Sequence, residues 1–87
     1  MNVKISKFVE SYLIKNYNAN ILGGNGSENY ETFNILDADT YDNVKNVDCI
    51  DLMKKLESKF GGKFAVTVCQ SVKRNYKSTI VKVKLKK

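Results

Sequence analysis

KFAVTVCQSVKRNYKSTIVKVKLKK, residues 63 to 87, decides how this chain folds. In its first arm the even positions Phe64, Val66, Val68 and Val72 are apolar, while Lys63, Ala65, Thr67, Cys69, Ser71 and Lys73 are small or charged. In its second arm Val81, Val83 and Leu85 alternate with Lys82, Lys84 and Lys86. Successive side chains leave a β-strand on opposite faces, so a period of two marks a half-buried strand. The spacing predicts strands over 64–72 and 79–85, joined as a hairpin. A tight turn centred on Asn75-Tyr76 sets Val68 opposite Val83, Val66 opposite Leu85, Cys69 opposite Lys82 and Thr67 opposite Lys84. Tyr76 then lies at the tip, flanked by Arg74 and Lys77. Both apolar faces coincide, and Lys63, Lys73, Lys82, Lys84 and Lys86 share the other face over a floor of small side chains.

Upstream of the hairpin, Gly61-Gly62 stops a helix that begins after Asp48. Asp48 is a good N-cap, and Asp51 three residues on places a second acid at the positive end of the helix dipole. Val47 and Leu52 match a hydrophobic staple across that cap. Cys49, Leu52, Met53, Leu56 and Phe60 line one side, and Lys54, Lys55 and Lys59 crowd the last turns. A first helix is predicted over 3–17, where Ile5, Phe8, Val9, Tyr12 and Leu13 form one stripe and Asn16 and Asn18 are the stop signals. Ala19 to Leu22 reads as a short strand and Tyr30 to Leu36 as another, with Gly23-Gly24-Asn25-Gly26-Ser27 as the loop between them. The fold expected is α+β, in the order α-β-β-α-β-β: one domain spanning residues 1–87, an antiparallel sheet of about four strands with both helices on one face.

Charge is divided as sharply as hydropathy. Residues 63 to 87 hold seven Lys, one Arg and no acid, whereas residues 1 to 62 hold seven Lys against nine Asp and Glu, so the last segment supplies more than the whole net charge of +6. One end of the molecule attracts anions. The chain has no His, which removes the usual general base, zinc ligand and nucleophile partner, so it reads as a non-enzyme with no cofactor and no metal. A phosphate cradle needs a helix after its glycines and usually a Lys, neither of which follows Gly26. Asp37-x-Asp39 and Asp42 open like a calcium loop, but Asp42 stands where that loop needs Gly and Asp48 where it needs Glu. This acidic patch is a solvated loop, or a surface that imitates phosphate and docks on a basic target.

Cys49 and Cys69 are too few for a disulfide framework and read as reduced thiols: Cys49 a small hydrophobe on the second helix, Cys69 on the basic side. No run approaches the roughly 18 apolar residues of a membrane helix, and Met1–Tyr17 lacks the pattern of a signal peptide, so a cytoplasmic protein with no membrane partner is expected. Lys outnumbers Arg 14 to 1 and Asn occurs ten times, a skew typical of AT-rich genomes such as those of many phages and mobile elements.

The expected function is a small binding protein. It engages nucleic acid or a protein–nucleic acid complex through Lys63, Lys73, Arg74, Lys77, Lys82, Lys84 and Lys86, with Tyr76 as a stacking contact. The shortage of Arg argues for sequence-tolerant contact, because bidentate reading of guanine favours Arg. The alternative is a phage or mobile-element inhibitor, of anti-CRISPR or other anti-defence type, that binds a host nuclease or other host protein directly. A homodimer through an exposed edge strand is a further arrangement such a sheet allows, and the bland reading of the lysines is that they guard that edge.

Overall fold

Asn2 and Asn18 bound the first helix. The Asn2 side chain accepts from the Lys4 N–H at 2.7 Å, and Asn18 sits in the left-handed region (φ 51°, ψ 41°) with its N–H returned to the Ile14 carbonyl. Between them lies α1, Val3–Tyr17. The computed structural model describes residues 1–73 and 76–86, and the side chains of 1–72 and 77–86. The strands β1 (Ala19–Gly23) and β2 (Tyr30–Asp37) follow, then α2 (Cys49–Phe60), β3 (Lys63–Lys73) and β4 (Tyr76–Lys86). The order α-β-β-α-β-β is the expected one. In α2 the expected cap is in place, with the Asp48 carboxylate accepting from the Asp51 N–H at 3.0 Å. Gly61 (φ 74°) and Gly62 (φ 79°) then turn the chain through a region that other residues avoid.

The four strands form one antiparallel sheet in the order β1-β2-β4-β3. Both β2 and β3 run antiparallel to β4, so they are parallel to each other across it, and α2 makes the crossover that parallel strands require. The two helices lie side by side on one face. Phe8 meets Phe60 edge to face at 5.7 Å between ring centres, and Tyr12 Oη donates to Asp51 at 2.7 Å. Beneath them Ile5, Val9, Leu13, Phe33, Ile35, Leu52, Leu56, Phe64, Val81 and Val83 form a single buried cluster. The apolar parity of β3 and β4 is therefore the core parity, and the other side of the sheet is open.

The register of the hairpin differs from the expected one. Val66 pairs with Val83, Val68 with Val81, Thr67 with Lys82, Ala65 with Lys84 and Cys69 with Ile80, each two positions from the register that an Asn75-Tyr76 turn would set. Pairing continues outward to Lys73 opposite Tyr76. Tyr76 is thus a strand position and not the tip of the turn. A shift of two leaves every side chain on its original face, so the alternation that defines the strands is blind to it. What changes is the neighbour of each residue: Cys69 faces Ile80 rather than Lys82.

The glycine-rich loop is built and not slack. The Asn25 N–H donates to the Thr32 hydroxyl at 2.9 Å, and the Thr32 N–H donates to the Asn25 carbonyl at 2.7 Å. The chain at Gly24 lies so close that an added Cβ would stand 1.8 Å from the Thr32 carbonyl oxygen, which only glycine permits.

Candidate nucleic-acid interface on the open sheet face

Parity puts Lys82, Lys84 and Lys86 on the open face of β4, and all three are exposed. Lys63, exposed on β3, lies directly opposite Lys86. Ala65 and Thr67 are the β3 partners of Lys84 and Lys82, so small side chains do floor the strip beside the lysine row. On the other flank β2 brings Tyr30 opposite Lys84 and Thr32 opposite Lys82. The Lys82 ammonium lies 4.7 Å from the centre of the Tyr30 ring, a diagonal cation–π contact between neighbouring strands. Tyr30 was not among the expected site residues. It enters because β2 pairs with β4, a long-range fact that no local pattern carries.

Like charges directly opposite one another cost stability. The Lys63–Lys86 pair and the alternation along β4 stack cations of one sign, and among the described residues no carboxylate forms an ion pair with them. Among the described residues the ion pairs are Lys55–Asp51 (2.8 Å) and Lys77–Asp42 (3.4 Å), and neither involves this face. The edge-guard reading fits Lys63 and Lys86, since Lys86 lies past the last β2 partner of β4. Lys82 and Lys84 stand where β4 has β2 and β3 on its two sides, so they guard no edge.

Lys77 must be reassigned. It has the parity of Val81 and Val83, pairs with Val72, and reaches Asp42 on the helix side of the sheet. Its register removes it from the basic face, and the Asp42 carboxylate offsets its charge. Lys73 and Tyr76 are placed only as paired strand positions. The expected roles of their side chains, and of Arg74, lie outside the described residues.

The acidic patch is occupied with its own backbone. Asp37 accepts from the N–H groups of Thr40 (3.0 Å) and Asp39 (2.9 Å), which hold its carboxyl below the usual carboxylate range. Asp42 is lowered by the Asn43 N–H at 2.8 Å and then by Lys77. Asp39 accepts from the Asn18 amide at 2.8 Å, tying the loop to the end of α1. Asp51 is lowered by Lys55 and by the Tyr12 hydroxyl, whose own ionisation burial and that bond oppose. Among the described residues no group of three acids or thiols is gathered to hold a metal. Burial, with Asp48 beside it, raises the Cys49 thiol, and Cys69 is exposed on the open face, both of them unbridged. The glycine-rich loop borders a cavity of about 190 Å³ that Glu10 and Glu31 also line, a poor setting for phosphate.

Three depressed carboxyls give stability a pH dependence of known sign. The unfolded chain, whose Asp groups titrate near ~3.9, takes up protons before the folded one. The contribution of Asp37, Asp42 and Asp51 is complete above that value and is lost as pH falls through the lower folded values. The melting temperature is expected to be level down to about pH 4.5 and to fall below about pH 4. In a D37N/D42N protein, which keeps the acceptor oxygens but cannot titrate, the fall is shallower. An equal slope in the two proteins refutes the assignment.

Among the described residues no helix is long and apolar enough to cross a membrane. No protein-family model, no curated protein and no solved structure matches the chain.

Proposed function

We propose that the protein is a non-enzymatic binding module that meets nucleic acid, or a protein–nucleic acid complex, through the open face of the β3–β4 hairpin. The observation that carries this reading is the row of exposed lysines on β4, none of them in an ion pair among the described residues, with Lys63 set against Lys86 across the hairpin. A face that needed only solubility would mix signs. A face that keeps one sign, at a cost in self-repulsion, is suited to a polyanion whose counterions are released on contact. Small floor residues let a backbone lie close. With Lys in place of Arg, contact is sequence-tolerant.

The test is a titration with unrelated single- and double-stranded DNA and RNA at low and high salt, beside a light-scattering mass. Binding that tolerates sequence and weakens steeply with salt is the expected result. No binding to any of the four refutes the reading. Co-purification with a large host protein free of nucleic acid would favour the inhibitor reading instead. A doubled mass would point to pairing along the β3 edge, where Glu57 already takes the Phe64 N–H at 3.0 Å and so blocks one end of the strand.

A further inference from the structure

Resting on that reading, we infer that the preferred ligand is an extended single strand of nucleic acid lying along β4, with one base stacked on Tyr30. Alternate residues of a strand are about 7 Å apart, so Lys82, Lys84 and Lys86 form a straight row of cations at a spacing an extended single strand can follow phosphate by phosphate. A duplex touches a sheet only where its curved surface meets it, and its bases are already stacked on one another. An unpaired strand can turn its bases aside, and the sheet offers what such a base needs on one flank. Tyr30 is half-buried on β2, opposite Lys84 and in contact with Lys82. An aromatic ring touching an exposed ammonium group is a nucleotide-sized pair: the base takes the ring and the phosphate takes the cation. Lys82 can swing off the ring to make room, since the contact it gives up is worth little at an exposed site. The other flank, Ala65 and Thr67, is flat and aromatic-free, so the bases are directed toward β2.

The chain contains no Trp, so Y30W introduces a single fluorescent reporter at the proposed stacking position. The probes are labelled 12-nucleotide oligo-dT, oligo-rU and a mixed-sequence duplex of the same length. Wild-type protein is expected to bind the single strands at least about 10-fold tighter than the duplex. Y30L should lose about 10-fold for single strands while its duplex affinity and salt slope stay put. Y30W should keep the affinity, and its fluorescence should be quenched by single strands but not by duplex. Should oligo-dT alone or oligo-rU alone show these effects, the single strand is DNA or RNA respectively and the inference stands. Duplex binding as tight as single-strand binding, or a Y30W signal that single strands leave untouched, overturns the stacking inference while leaving the basic face intact as a binding surface. Failure of every probe to bind overturns both. Y30F, which keeps the ring and drops the hydroxyl, separates stacking from a folding defect: it must bind as wild type does.

Discussion

Reversing Lys82 and Lys84 together (K82E/K84E) is expected to lower affinity for nucleic acid by about 100-fold at low salt and to flatten its salt dependence. Both residues are exposed, both stand on the open face, and neither belongs to an ion pair among the described residues. Each reversal removes a phosphate contact and adds a repulsive one. If each lysine neutralises one phosphate, the slope of log affinity against log salt should shrink by about 0.7 to 0.9 per residue. The loss should be the same for unrelated sequences, since these contacts read charge and not bases. Stability is a fair control here. The substitutions give up the Lys82–Tyr30 contact, worth roughly 0.5–1 kcal/mol, but they place acids near Lys63 and Lys86 and relieve the repulsion there. Reversal of Lys7 and Lys15 on α1 alters net charge equally without touching the sheet, and so separates a local surface from a global field. Anisotropy titrations from 50 to 200 mM salt read all of this. Affinity unchanged in K82E/K84E rules the surface out.

The two helices were legible because their ends are written in short-range chemistry. Asp48, Asp51, Gly61 and Gly62 act within a turn of where they stand, as does Asn18; the Asn2 cap is equally local but was not read. The open basic face was legible for a similar reason: parity is a local property, and Val81-Lys82-Val83-Lys84 cannot be satisfied with the lysines inward. Parity also contained the fact that Lys77 belongs with Val81 and Val83, a consequence missed by placing it with the turn. What parity cannot hold is translation. Sliding one arm by two residues conserves every face, so the register had to come from the turn, where Asn75-Tyr76 misled. Strand order was equally hidden. A strand with one wet face alternates in the same way whether it is interior or at an edge, so nothing in residues 76 to 86 announced that β2 lies beside it. Tyr30 was invisible as a site residue for that reason alone. One local anomaly went unread: Gln70 breaks the run of apolar even positions in β3, and its amide serves the loop that crosses the helix side of the sheet.

That loop rests on one hydroxyl, and T79V is expected to destabilise the protein by about 2 kcal/mol. Thr79 is fully buried at core parity on β4. Its Oγ accepts from the Val44 N–H at 2.9 Å and donates to the Gln70 side-chain oxygen at 2.7 Å, while the Gln70 amide donates to the Val44 carbonyl at 3.0 Å. The three residues close a ring that seats Val44, itself buried, in the core cluster. Valine matches threonine in shape and supplies no acceptor. The Val44 N–H then loses its partner away from water, which costs the desolvation of that group and not merely a bond. Gln70 is exposed, so its oxygen can turn to solvent and adds little. For a domain of this size about 2 kcal/mol lowers the melting temperature by roughly 8–16 °C. T79S keeps the hydroxyl and loses only a methyl group, so it should fall well short of that; equal losses in T79V and T79S would mean that packing, and not the hydroxyl, holds the loop. The same variant divides the molecule in two. Thr79 points to the helices and the lysine row points away, so T79V protein that is still folded at low temperature should bind oligo-dT as wild type does. A protein weakened in stability but not in binding would place the polyanion surface on the sheet itself, independent of the acidic loop packed behind it.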